Sequence, residues 1–433
     1  MPTPSLLIVP ARWKTGNPGK LYSQIPTNGD GDFNVTGVIT GATNAGTRVN
    51  NLGYIEPITT SGTPRLDYFA SGGTVGCPAL LVEPSGTNTL SGSVSIDTGW
   101  TITADTPITS GIVSPSGSTN ATLFQAGSTA SRVRQAATLV SGTTYTFSCF
   151  GKFGSLSSGF TINVFDENAA SYASGVCQAF NLNEGTLGAS GTIGAGFTLQ
   201  SVGMENYGNG WYRCRMTVLM GYTPATPRVG FRIGTQITGG RPLSVVSGTV
   251  NVWGAQLETG SIATSYIPTT TAAVTRNAEV VSVTGAVSGS IGQTEGTIYA
   301  EVDVRNWVNL SRIFSISDGT ASNRIMTLFN TSNRFRVIVD SGGGAAQVDI
   351  SSASLTNGIH KIAVGYAAND VVFYVNGGLV SGDTTVNVPA CSQVFLGKIE
   401  TSANTNFLND RIRAAALYNT RLTNAELAAL TSP

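Results

Sequence analysis

The sequence predicts an all-β protein: an N-terminal extended segment followed by two β-sandwich domains of the jelly-roll kind. Three observations carry this. Short runs with apolar residues at every second position recur along most of the chain, the period of a strand with one buried face. The spaces between them are filled by Gly, Ser, Asn and Pro, with 53 glycines in 433 residues, as many short strands joined by tight turns require. Charged residues make up only 11% of the chain, against about 25% in an average globular protein.

Residues 1–90 form the first unit. It is rich in Pro and Gly, and its apolar runs are short: LLIVPARWK, FNVTGVIT, YIEPITT and CPALLVEP. Runs of that length do not build an independent core. The segment is expected to become ordered against a partner, another copy of the chain, or the domain that follows.

Residues 91–276 form the second unit. Strand patterns recur at 100–104, 121–126, 143–153, 160–167, 177–182, 197–205, 211–220, 228–234 and 249–258, the signature of a sandwich. Its closing half organises the chain. Gly208, Asn209 and Gly210 supply a tight turn; Trp211, Arg213, Arg215 and Thr217 then alternate with Tyr212, Cys214, Met216 and Val218. Further on, Val250, Val252 and Gly254 are read on one face, with Asn251, Trp253 and Ala255 on the other. A turn at 259–261 and the sequence TSYIPTTTAAVTR lead out of this domain.

Residues 277–433 form the third unit, with strands at 297–304, 312–318, 324–330, 334–340, 360–367, 371–380 and 394–399. Asn369-Asp370 and Asn376-Gly377-Gly378 have hairpin chemistry. Thr423 with Glu426 has the spacing of a capping box opening a short helix to Leu430.

The wording of these stretches resembles a known family. GNGWYR followed by WGAQLETGSIATSYIPTTTAAVTR, with TRVNNLGYIEPI, PRLDYF and GCPALLVEPSGTNTL before them, is similar to a module of tailed-bacteriophage virion proteins. HKIAVGYAANDVVFYVNGGLV and the closing DRIRAAALYNTRLTNAELAAL resemble the laminin-G/concanavalin-A-like sandwich. The resemblance implies a carbohydrate-binding-module-like jelly roll over 91–276 and a concanavalin-like domain over 277–433. Residues 1–90 become the particle-attachment and oligomerisation segment.

Function is expected to follow from that class: a non-enzymatic virion protein, a tail or head fibre or appendage, contacting host-surface carbohydrate. Such appendages are usually homotrimers, so self is an expected partner, along with other virion proteins through the N-terminal segment. The expected location is the virion, after synthesis in the bacterial cytoplasm. Two alternatives stand beside this reading: a purely architectural capsid or tail decoration, and a polysaccharide depolymerase tailspike.

Composition excludes some classes. Lys+Arg and Asp+Glu are equal at 24 each, so no net charge draws the chain to nucleic acid or an anionic membrane. No run reaches the ~18 apolar residues of a membrane helix, and SLLIVP is too short for a leader. The five cysteines, Cys77, Cys149, Cys177, Cys214 and Cys391, show no CxxC spacing, so neither a disulfide framework nor a zinc site is expected.

Candidate chemistry is sparse. The single histidine, His360, opens a strand with no acidic residue beside it and is read as structural. Asp166 and Glu167 are adjacent, so in a strand they point to opposite faces and cannot share one substrate. No metal site and no cofactor are expected, although a structural calcium held by loop carboxylates such as Asp97, Asp318 or Asp410 is compatible with both sandwich types. Sugar recognition would use exposed rings. Trp100 follows a glycine, Trp307 stands in the polar stretch RNWVNLSR, and Tyr207 borders the GNG turn; these three are the candidate glycan-binding residues. Trp211 and Trp253 lie in strand patterns and are assigned to the core.

Overall fold

The protein is known from a computed structural model that describes residues 2–10, 22–25, 29–32, 34–36, 45–59, 63–70, 72–155, 159–168, 171–245, 247–284, 289–343, 346–399 and 406–433. Parts of the runs LLIVPARWK and FNVTGVIT lie outside these residues. The fold is all-β, and the helix Asn424–Thr431 is the only one among the described residues. Its start is the expected capping box: Glu426 N donates to Thr423 Oγ1, and Thr423 N donates to the Glu426 carboxylate. No helix among the described residues is long and apolar enough to cross a membrane.

The middle of the chain folds into two facing six-stranded sheets. One runs in the order Thr101–Ile102, Val133–Ala136, Pro227–Ile233, Gly159–Asn168, Ser171–Asn181, Thr186–Ile193. The other runs Ile108–Ile112, Ala121–Gln125, Thr249–Thr259, Thr144–Ser155, Trp211–Met220, Phe197–Asn206. The alternation fixes which residues meet between them. Phe147, Cys149, Cys214, Met216 and Val218 from the second sheet pack against Ile162, Val164, Val229 and Phe231 from the first.

One strand breaks its expected period. Val250 and Val252 face the core, as do Ala255 and Leu257, while Trp253 faces outward. The register against Thr144–Ser155 shifts between Ser148 and Phe150, opposite Gly254, which has φ 65°. An extra residue in a left-handed conformation is a β-bulge, and it inverts the phase of the strand beyond it. Gly254 therefore belongs to neither face, and Ala255 lies on the face first assigned to its neighbours.

The C-terminal sandwich pairs a large sheet with a seven-stranded one. In the large sheet Glu295–Val304 lies between Asp410–Tyr418 and Gly358–Ala367. Strands from the first ninety residues join both sheets. Leu6–Ile8 and Val75–Val82 pair with Asp410–Tyr418, and Asn34–Thr36 pairs with Val280–Thr284. The N-terminal segment was expected to become ordered against a partner, another copy or the domain that follows it; the described residues show it also completing the C-terminal sandwich of its own chain, one domain further on.

The same segment also covers the outer face of the second jelly-roll sheet. Val49, Ile55 and Phe69 pack with Phe150, Trp211, Trp253 and Tyr266. Trp211 and Trp253 are buried as expected, but in this layer rather than between the sheets. Beneath it lies a knot of charge. Arg65 meets Glu83 at 2.6 Å and also contacts Glu279; Arg276 lies 3.5 Å from Glu83 and 3.4 Å from Glu279. Ser265 donates to Glu83 through both its backbone N–H and its hydroxyl, each at 2.7 Å. The exit sequence TSYIPTTTAAVTR thus supplies Ser265 and Arg276 to a lock on residues near the start of the chain.

Candidate functional site

A cleft of about 560 Å³ lies between the jelly roll and the C-terminal sandwich. One wall is the edge of the second jelly-roll sheet. There Phe197–Asn206 pairs with Trp211–Met220 in a register that sets Gly203 opposite Arg215 and Asn206 opposite Tyr212. The turn joining these strands takes three consecutive left-handed residues, Gly208 (φ 82°), Asn209 (φ 52°) and Gly210 (φ 78°). This is a conformation that Gly and Asn tolerate best. Gly203 leaves room for the Arg215 side chain, because a Cβ there would stand 2.6 Å from the guanidinium carbon. Glu184 and Gly185 close one end of the wall.

The opposite wall is built from Asp303, Val304, Arg305, Asn357 and Gly358 of the C-terminal sandwich. Arg305 is firmly held. It pairs with Asp303 at 2.8 Å, donates to the Phe69 carbonyl at 3.0 Å, and places its guanidinium 4.3 Å from the centre of the Phe69 ring. Asn357 donates to the Arg305 carbonyl at 2.9 Å. Behind this wall the buried Asp410 accepts from the backbone N–H groups of Arg305 and Asn306 at 2.7 and 2.9 Å. Burial pushes the Asp410 carboxyl up to about 7, against the pull of Arg411 and those two N–H groups.

The walls therefore differ. Asp303 and Arg305 are mutually satisfied, whereas Arg215, Glu205 and Glu184 make no ion pair among the described residues. Together with the Asn206 and Asn357 amides and the Tyr212 ring, the cleft offers free donors, free acceptors and a flat apolar surface. That mixture suits a ligand dense in hydroxyl groups.

None of the three residues singled out for sugar binding lines this cleft. Trp100 is only 8% exposed and packs in the jelly-roll core, 6.4 Å from the Phe231 ring; the glycine before it turns the chain inward. Trp307 is half-buried against Phe329 (4.9 Å), Phe335 (5.2 Å) and His360 (6.1 Å). Tyr207 stacks on Phe69 at 4.3 Å and meets Phe150 edge-on at 4.9 Å; burial pushes its phenol up to about 12. It borders a separate hollow of about 310 Å³ with Tyr54, Lys152 and Asn209. The sequence did carry a signal for one residue of this cleft: Arg215 follows Arg213 at strand spacing in a chain with only 11% charged residues.

The remaining candidates are occupied locally. His360 sits between the Thr356 carbonyl (2.8 Å at Nε2) and Asn376 (2.9 Å at Nδ1). Because the Asn376 Oδ1 accepts from Lys361 N, its amide N–H donates to the ring at Nδ1, which leaves the Nε2–H to donate to the Thr356 carbonyl. Asp166 accepts from Tyr222, Ala225 N and Thr226 N, while Glu167 takes a set of arginines. Asp97 and Asp318 accept from neighbouring hydroxyls and amides. Among the described residues no group of three acidic, His or Cys side chains is placed to hold a metal ion.

This architecture defines an all-β protein with a concanavalin A-like sandwich at its C-terminal end. Residues 276–428 match the family model described as the concanavalin A-like lectin/glucanases superfamily. No curated protein matches the chain. Among solved structures, the chain is similar to the Ruminococcus gnavus IT-sialidase CBM40, at 16% identity and a TM-score of 0.30, covering 34% of this chain and 86% of that one. It is also similar to a SAP-like pentraxin from Limulus polyphemus, at 13% identity and a TM-score of 0.26, covering 32% and 70%. The NanB sialidase from Streptococcus pneumoniae gives 16% and 0.28, over 35% of this chain and 27% of that one.

Proposed function

We propose that the protein is a non-enzymatic, glycan-contacting β-sandwich protein, and more narrowly a fibre or appendage of a tailed-bacteriophage particle. The observation that carries the binding reading is the cleft: Arg215, Glu205 and Glu184, without an ion pair among the described residues, stand beside the Tyr212 ring between two domains. The concanavalin A-like match over residues 276–428 supports it. The phage reading rests on the wording of GNGWYR, WGAQLE and TSYIPTTTAAVTR. In this reading the chain acts as a homotrimer on the virion and reaches other virion proteins through its N-terminal segment. Several copies would turn weak single-site sugar binding into firm attachment.

The test is a titration of the full chain with polysaccharide stripped from candidate host cells, comparing the native protein with Arg215→Ala. Saturable binding that falls at least tenfold in the variant, with the polysaccharide recovered uncleaved, supports the proposal. Shortened chains among the products would make the protein a depolymerase. Immunogold labelling of intact particles with an antibody to residues 277–433 tests the placement, and particles without label would overturn it.

A further inference from the structure

The first jelly-roll sheet has a second concentration of charge on its outer face. The register sets Arg134 opposite Gly230 and Arg228 opposite Phe165. Val133, Ile162, Val229 and Phe231 point into the core, so the arginines alternating with them point out. Three guanidinium groups converge on one carboxylate. Arg132 lies 3.3 Å from Glu167, Arg134 3.0 Å and Arg228 3.0 Å. Asp166, the next carboxylate along the strand, is engaged elsewhere by Tyr222 and the backbone of Ala225 and Thr226.

Arg134 and Arg228 already set two positive charges against the single carboxylate of Glu167, with Arg132 beside them, in a chain whose total is balanced. The excess is physically felt: burial and the neighbouring Arg134 depress the Arg132 guanidinium against the pull of Glu167. The Arg134 Nη1 is buried without a hydrogen-bond partner. Arg228 is the most accessible of the three, with 27% of its side chain exposed. A Cβ at Gly230 would stand 2.2 Å from the Val133 carbonyl oxygen and 3.0 Å from the Arg134 Cα and Cβ, so the glycine allows the close strand approach that carries Arg134.

We propose that this cluster binds the carboxylate or sulfate group of an acidic polysaccharide, which would complete the counter-charge that Glu167 supplies only in part. A planar guanidinium fork matches such oxyanions in two-point hydrogen bonds. The site shares no residue with the cleft and does not depend on it.

The test uses the full chain and three fluorescent hexasaccharides, one sulfated, one built of uronic acids and one neutral, at low and raised salt. Binding of an acidic probe but not the neutral one, weakened by salt, is expected. Arg228→Gln should reduce it about tenfold, and Arg228→Lys should keep most of it. Unchanged affinity in a folded Arg228→Gln protein would overturn the proposal, as would failure of both acidic probes to bind. Displacement by inorganic sulfate at the same concentration as the saccharide would also overturn it, as an adventitious ion only. Loss of acidic binding in Arg215→Ala alone would return the anion to the cleft.

Discussion

Arg65 and Glu83 meet at 2.6 Å where neither side chain is reached by bulk solvent, and both belong to a segment whose runs are too short to form a core of their own. Their partners, Arg276 and Glu279, come from the other end of the jelly roll. The knot therefore ties the entry and exit of that domain together. Burial alone would push the Glu83 carboxyl up, but Arg276 and Arg65, with the hydrogen bonds from Ser265, hold it well below the usual carboxylate range.

Removing one member strands the others. Glu83→Ala is expected to cost about 3–5 kcal/mol, the typical loss when a buried pair is broken from one side. Replacing Arg65 and Glu83 together by apolar residues of similar size should cost less than the single change. Thermal unfolding of the two proteins checks this, and a double variant that loses more than Glu83→Ala would mean that the two residues contribute independently.

Gly254 is expected to tolerate no side chain. Its φ of 65° is costly for an L-residue, and a Cβ would stand 2.8 Å from the Phe150 ring. Gly254→Ala should lose roughly 2–4 kcal/mol from strain and clash together. An alanine that leaves the melting temperature unchanged would show that the bulge can flatten.

Trp307→Ala separates packing from recognition. The indole packs on Phe329, Phe335 and His360, so truncation should cost about 3–5 kcal/mol. Affinity for the cleft's ligand should stay within twofold, because Trp307 is not among its walls. Loss of binding in a protein of native stability would restore Trp307 as a contact residue.

Much of the fold could be read from the sequence because period two, turn glycines and the Thr423–Glu426 cap are local signals. Trp211–Met220 and Arg324–Asn330 have the expected limits. What could not be read depends on distance along the chain. Leu6–Ile8 finds its partner at Ala415–Leu417, and nothing near either stretch specifies the other. The bulge at Gly254 was hidden because a glycine at an apolar position fits the alternating pattern it interrupts. The exposure expected of the candidate rings differs from what is found for a related reason. A tryptophan in a polar stretch looks exposed until its ring turns out to pack on Phe329 and Phe335, whereas the meeting of Arg215 and Glu205 with Asp303 and Arg305 across one cleft depends on contacts far apart in the chain.

Asp410 sets the last expectation, in the dependence on pH. Its folded-state value is raised to about 7 from an ordinary 3.8, so folding favours the protonated form. Its contribution to stability is therefore fully present below about pH 4 and is lost as pH rises through 7. Glu83 works in the opposite sense: its carboxyl is depressed, so its contribution is present above the ordinary carboxylate range and falls away in acid. Asp410→Asn keeps an acceptor for Arg305 N and Asn306 N but cannot ionise. The variant should match the native protein near pH 4 and exceed it by roughly 1–4 kcal/mol at pH 8. Acid unfolding governed by Glu83 should be unaltered. Melting temperatures of both proteins at pH 4, 6 and 8 decide it: parallel curves would mean that Asp410 is already ionised at pH 4 and that its two backbone donors outweigh its burial.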